Sequence, residues 1–327
     1  MSNIFKKPLK IDFGHEPPFI LKGVRAAVDQ IFELFKTPLK LMILILLASS
    51  KSAFAMELSW KGCGITKHAF MEEIARAYET KTGTNIKISG GGASKGIRSV
   101  SSNSGDLGGS CRVWLVMPGD EIHPHEKNAK LIPVAWDALV PVAHPDNPVN
   151  DISTDQIKKI FDGELKDWSS LGWNDSGKII LCTREGKESG VGFMLRKIIF
   201  KDSNHSFKGR SLKFKSSSSL EQKIEISPRS FGMTGVSSAQ KRKLKILSIN
   251  GVFPTRENIA KGVYSLFRPL FITVNKNDAR PEVKMFLDFI KGPEGQKIIS
   301  NQGTINWEEG KVLASKWKRN FPELNFQ

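Results

Sequence analysis

Two catalytic signatures are missing from the 327-residue chain: there is no H-E-x-x-H motif and no Walker-type phosphate loop. Their absence counts against metal-assisted hydrolysis and P-loop chemistry. Zinc-finger, RNP and basic-zipper patterns are absent too. The clusters Lys241-Arg242-Lys243-Lys245 and Lys316-Lys318-Arg319 are therefore expected to be solvated faces and not a nucleic-acid surface. No long apolar run occurs either: the best stretch, Leu39 to Leu47, is interrupted by Lys40 and falls short of the ~20 residues that span a bilayer. Cysteine is scarce, with only Cys63, Cys111 and Cys182.

What is present suits a soluble globular protein, with 39% hydrophobic and 25% charged residues. The short apolar run is preceded by lysines and followed by small residues ending in Ala53-Phe54-Ala55. That order reads as a leader and signal peptide over 1–55, cut after Ala55, and places the mature chain in the periplasm or otherwise outside the cytoplasm. The formal charge of +16 remains strongly positive without the leader, so the surface attracts anions.

Beyond the leader, a strand at Leu58–Trp60 leads through a tight loop into a helix over His68–Lys81, with Phe70, Ile74, Ala75 and Tyr78 at helical spacing. A second strand, Asn85–Ser89, runs into Gly90-Gly91-Gly92 and another helix beginning near Ile97. A third glycine loop, Ser189-Gly190-Val191-Gly192, precedes a helical stretch from Phe193 to Ile199. Glycine turns between a strand and a helix bring backbone N–H groups close to a ligand and favour negative charge there. Two apolar extended runs, Val134–Val142 and Tyr264–Val274, flank a self-contained α/β segment. Such crossings are what a hinged protein needs. The expected organisation is α/β in two lobes, 56–142 plus 266–327 and 143–265.

Several stretches resemble the periplasmic phosphate-binding protein family, the PBP-like domain of phosphate ABC transporters. They are GGGASKGI with GDLGGSCR, the run HPDNPVNDISTDQIKKIFDGELKDWSSLGW, TREGKESG after KIILC, and INGVFPTRENIAKGVYSLFRPLF. The resemblance covers nearly all of residues 57–305. It implies a two-lobed type II, Venus-flytrap fold with a hinge, and an exported solute-binding protein that closes on a small oxyanion, phosphate first, for an ABC permease. It implies no catalysis, cofactor or metal, and the default is a monomer with no nucleic acid. The alternatives are a same-fold sensor or carrier for another ligand, or a redox or metal-handling protein using Cys63 and Cys111.

Carried over position by position, the resemblance puts the first anion-contacting turn at Ile65-Thr66, the binding arginine at Arg184, whose fork meets an oxyanion bidentately, and the next turn at Ser189-Gly190. Three positions depart from the family pattern. Ala93, beside Ser94, stands where a serine hydroxyl is usual, Cys111 where some members hold a ligand-contacting carboxylate, and Val191 where a threonine commonly follows Ser-Gly. Asp106 is a weak substitute for the carboxylate, since its matched position more often braces the loop.

The resemblance also brings Cys63 and Cys111 near one another at the cleft, where an oxidising compartment favours a disulfide over free thiols facing the ligand. Cys182 is expected in a buried strand. His123 and His125 lack the third spaced partner of a metal site. His68 sits in the first helical turn, facing solvent or ligand, and Lys95 and Arg98 either charge the cleft or point into water. The run Ser216–Ser219 reads by composition as a flexible connection.

Overall fold

The computed structural model describes residues 56–119, 121–174 and 177–322, so the expected leader and its cleavage point lie outside the described residues. The helix expected over His68–Lys81 begins earlier, at Gly64 within the expected loop, and is one continuous helix, α1, in three consecutive pieces: Gly64–Thr66, a π turn at Lys67–Met71, and Glu72–Thr82. It follows strand β1 (Glu57–Gly62) and stops at Gly83, whose φ of +74° is the left-handed conformation of a helix C-cap. The next strand, β2 (Asn85–Ser89), falls on the expected residues and leads into α2 (Gly92–Ser101) and β3 (Leu107–Ser110). Gly96 of α2 has to be glycine, because a Cβ there would stand 2.6 Å from the Gly109 carbonyl oxygen and 2.9 Å from that of Lys61.

The 15-residue strand β4 (Ala129–Ala143) organises everything that follows. Its residues from Ala129 to Ala138 pair antiparallel with β11 (Phe267–Asn275), and those from Leu139 to Ala143 pair antiparallel with β8 (Ser230–Gly235). β11 in turn pairs with β3, while β6 (Ile180–Arg184) joins β8 to β7 (Ser211–Phe214) in parallel. The strand order is β2-β1-β3-β11-β4-β8-β6-β7; off this path, the short strands β9 (Lys245–Ile246) and β12 (Ile305–Asn306) pair with β4, and β5 (Asp151–Ile152) pairs with β10 (Ser248–Ile249). Both halves of this sheet are therefore parallel units with helical crossovers, joined by antiparallel strands. At the change of partner the Leu139 N–H donates to the Leu266 carbonyl (2.9 Å), and the Tyr264 hydroxyl donates to the Leu139 carbonyl (2.8 Å).

Between β4 and β6 lies α3 (Thr154–Asp162), opened by a capping box in which Ser153 accepts from the Gln156 N–H and Gln156 accepts from the Ser153 N–H. Its burial stripe, Ile157, Ile160 and Phe161, explains why the Asn-Pro segment before it ends in a helix. Helix α4 (Gly190–Leu195, continuing as a π turn through Arg196–Phe200) follows the third glycine loop. Helix α5 (Ser217–Glu225) corrects one expectation: the serine run is no flexible link, because Ser216 accepts the Ser219 N–H (3.0 Å) and caps the helix. Near the C-terminus, α6 (Pro281–Lys291) and α7 (Pro293–Asn301) pack against each other, and Trp317 of α8 (Lys311–Asn320) lies 6.5 Å from Trp136, which stacks on Trp307 at 5.1 Å. Among the described residues no helix is long and apolar enough to cross a membrane.

In the basic cluster expected to be solvated, Lys241 and Lys243 are exposed, and three of its side chains also hold partners. Arg242 donates to Glu221 (2.7 Å) and reaches Glu225 (3.4 Å), Lys241 donates to the His68 carbonyl, and Lys245 donates to the Asn147 carbonyl. Asp106 accepts from the Ser59 N–H (2.8 Å) and hydroxyl (2.7 Å) and pairs with Arg280 (2.9 Å), which makes it a brace between β1 and the start of α6.

Candidate functional site

Two sets of turns meet where the ends of β1, β2 and β3 face the end of β6. From the first set, Cys63 caps α1, its sulfur accepting from the Thr66 N–H (3.3 Å) and lying 3.0 Å from the Thr66 hydroxyl. Ile65 and Thr66 are fully buried in that first turn, and Ile65 abuts Gly235, where an added Cβ would stand 2.7 Å from its Cγ2. Ala93 and Cys111 are buried beside them. From the second set comes Gly190, where a Cβ would lie 2.5 Å from the Cys111 sulfur and 3.1 Å from the Ala93 Cβ. Gly190 has an ordinary φ, so its glycine is required by the close approach and not by the backbone.

The carbonyl of Glu188, next to that turn, collects donors from the opposite side: the Ser94 hydroxyl at 3.1 Å and the Arg112 Nε at 3.0 Å. The Glu188 carboxylate accepts from Arg98 at 2.7 Å, so Arg98 neither charges an open cleft nor points into water. Arg112 is itself buried, and its two terminal nitrogens donate to Glu126 at 3.0 and 2.7 Å. Glu126 also takes the Leu115 N–H at 3.0 Å, which satisfies both carboxylate oxygens of a charge removed from water.

Arg184 ends β6 as the sequence suggests, but its guanidinium is held by its own side: Nε donates to the Phe214 carbonyl (3.1 Å), Nη1 to the Ser217 hydroxyl (2.8 Å) and Nη2 to the Lys215 carbonyl (2.7 Å). Burial lowers its pKa. Val191 is buried, as Ile65, Ala93 and Cys111 are. The structure thus brings together Ile65, Thr66, Ala93, Ser94, Cys111, Ser189 and Gly190, with Arg184 at the margin.

Sequence reasoning passed over a buried ion pair beneath these turns. Asp137 of β4 accepts from Arg268 of β11 (Nε 3.2 Å, Nη2 2.8 Å) and from the Ser237 N–H (3.1 Å) and hydroxyl (2.7 Å). The signal was available, since an acid inside VAWDALVPV and an arginine inside YSLFRPLFITV are out of place in buried strands unless they are paired. Arg268 Nη1 and the Ser189 hydroxyl are buried with no hydrogen-bond partner among the described residues. Further buried polar atoms share that state, Trp60 Nε1 and Tyr78 Oη among them, so it is the place of Arg268 beside Ile65 that sets it apart.

The family model described as the PBP superfamily domain matches residues 66–294. The chain belongs to the PBP superfamily. That is the group the motifs suggested, and it accounts for the two-lobed α/β architecture around β4 and β11. Among curated relatives of this PBP superfamily member, the phosphate-binding protein PstS of Bacillus subtilis is 30% identical over 250 residues, covering 74% of this chain and 76% of that one. PstS of Borreliella burgdorferi is 29% identical over 241 residues, covering 72% and 84%. Among solved structures, a phosphate ABC transporter substrate-binding protein from Clostridium perfringens with bound phosphate superposes with a TM-score of 0.67 at 26% identity, covering 76% of this chain and 99% of that one.

The thiols differ from the expected disulfide: all three cysteines are free and buried. Cys63 and Cys111 do meet, as a hydrogen-bonded pair. Burial raises the Cys63 pKa, but hydrogen bonds from Cys111 and Thr66, helped by the Arg268 charge, outweigh it and bring it below the usual thiol range. Cys111, on the other side of that hydrogen bond and equally buried, is pushed up. The two thiols therefore titrate as a pair, with the first deprotonation below the usual thiol range. Cys182 is raised to about 11, chiefly by burial. When the two sets of turns separate, iodoacetamide at neutral pH is expected to alkylate Cys63 well ahead of Cys182, as read by peptide mass spectrometry. Equal labelling of both would contradict the lowered pKa of the pair.

Proposed function

We propose that this chain is an exported, non-catalytic solute-binding protein that captures a small oxyanion, phosphate first, and presents it to the permease of an ABC transporter. The observation that carries this reading is the junction where the turns holding Ile65, Thr66, Ala93 and Cys111 meet Gly190, with the buried Arg268 guanidinium beside Ile65 and its Nη1 without a hydrogen-bond partner among the described residues. Helix N-termini meeting beside a buried guanidinium stabilise an anion. The printed names of the relatives, phosphate-binding proteins and a phosphate-bound transporter component, support the same ligand class and a binding role.

The lobes proposed are 56–142 plus 266–327 and 143–265. The bend itself belongs where β4 changes partner, between Ala138 and Leu139. Glu188 then receives its donors across the cleft, and ligand that touches both lobes selects the shut form by its differential affinity. The chain is taken to act as a monomer, since one cleft and one hinge suffice.

Calorimetric titration of the full chain with phosphate, after stripping by partial unfolding and refolding, tests the reading. Saturable micromolar binding, worth roughly 8 kcal/mol, is expected. In Arg184→Ala it should weaken by roughly 10- to 100-fold, the cost of losing a charged hydrogen-bonding partner for the anion. A second reading, a redox or soft-metal site, is favoured by the reduced Cys63–Cys111 pair. It predicts that Arg184→Ala leaves binding untouched while Cys63→Ser removes it.

A further inference from the structure

A second cavity, of about 430 Å³, is walled wholly by residues 183–213 and shares only Arg184 with the site above. Five of its lining side chains are cationic, Arg184, Lys187, Arg196, Arg210 and Lys213, and no carboxylate lines it. The cations already tethered are held by neutral oxygens: Lys187 donates to the Asn204 carbonyl at 2.7 Å, and Arg196 to the carbonyls of His205 (2.7 Å) and Gly192 (3.0 Å).

Arg196 is the telling member. It is only 5% exposed, and its guanidinium lies 3.9 Å from the centre of the Phe207 ring, yet it has no carboxylate partner among the described residues and its Nη2 donates to no protein acceptor there. Burial pulls its pKa down to about 10, the consequence of a desolvated cation whose only nearby opposing charge is Asp202. A buried guanidinium is costly unless paired. Arg210 and Lys213 stand exposed at the same mouth without hydrogen-bonding partners among the described residues.

We propose that this pocket is a second anion site, distinct from the cleft, that takes a phosphate-bearing ligand larger than inorganic phosphate, of the pyrophosphate or phosphate-ester class. Guanidinium forks match phosphate oxygens two at a time, and a multiply charged group offsets several cations at once. The volume is that of a small-ligand pocket and exceeds what a lone phosphate fills. The proposal stands whether or not the cleft binds phosphate.

The test uses the full chain and the double variant Arg210→Gln/Lys213→Gln, with pyrophosphate in calorimetry and phosphatidylglycerol vesicles in a flotation assay. Wild type is expected to bind one of these probes in a salt-weakened event that falls roughly ten-fold or more in the variant. Phosphate binding at the cleft should stay unchanged. A loss seen with pyrophosphate identifies a free phosphate compound, and a loss confined to vesicles identifies a lipid head group. Lys213→Gln alone serves if the double variant has a lowered unfolding midpoint. Absence of binding to either probe in wild type, or binding that the variants leave unchanged, overturns the proposal.

Discussion

Replacing Gly190 with valine is expected to weaken phosphate binding by roughly 10- to 100-fold while leaving the thermal unfolding midpoint nearly unchanged. Its Cβ would stand 2.5 Å from the Cys111 sulfur and 3.1 Å from the Ala93 Cβ, inside the closest approach that carbon tolerates. Overpacking of this kind costs about 1–3 kcal/mol. Here the cost is confined to the shut form, because Ala93 and Cys111 belong to one proposed lobe and Gly190 to the other. The variant can escape by staying open, so stability is spared and the ligand must supply the missing energy to close it. Calorimetry reports the affinity, and differential scanning reports the stability. A variant that binds normally would mean that the two sets of turns do not meet in the bound form.

The second large effect is on folding. Asp137→Ala is expected to destabilise the protein by about 3–5 kcal/mol, the usual cost of stranding a buried partner. Asp137 and Arg268 are both fully buried, and the carboxylate also accepts from the Ser237 N–H and hydroxyl. Exchanging the pair for apolar residues, Asp137→Leu/Arg268→Met, should recover most of the loss, since removing both charges avoids an unpaired one. Urea unfolding of the single and double variants decides it. Additive losses would mean that the two residues act separately.

Much of the fold was legible because it is written in local rules. Strand β2 lies on the five residues expected, and α1 carries the expected stripe of Phe70, Ile74, Ala75 and Tyr78. Glycine loops did precede helices at Gly92 and Gly190. The serine run misled because composition alone does not separate a flexible link from a capped helix: Ser216 became an N-cap when Leu220 and Ile224 behind it found the core. The free state of the cysteines was also beyond reach, since it depends on the company each sulfur keeps. Cys63 is drawn into capping α1 and into a hydrogen bond with Cys111.

By itself, then, the sequence determined the alternation of strands and helices, the glycine turns between them, and membership of a family recognised from its motifs. These depend on spacing, backbone freedom and residue type, which are local properties. Tertiary structure alone decided which charges pair: Arg112 with Glu126, Arg98 with Glu188, and Asp137 with Arg268 across 131 positions of sequence. It also decided that Arg196 is buried with no salt bridge to a carboxylate among the described residues, Asp202 acting on it only through space. The physical reason is that a buried charge is tolerable only where a partner arrives, and partners arrive through β4 and β11, strands whose pairing joins residues far apart in the chain.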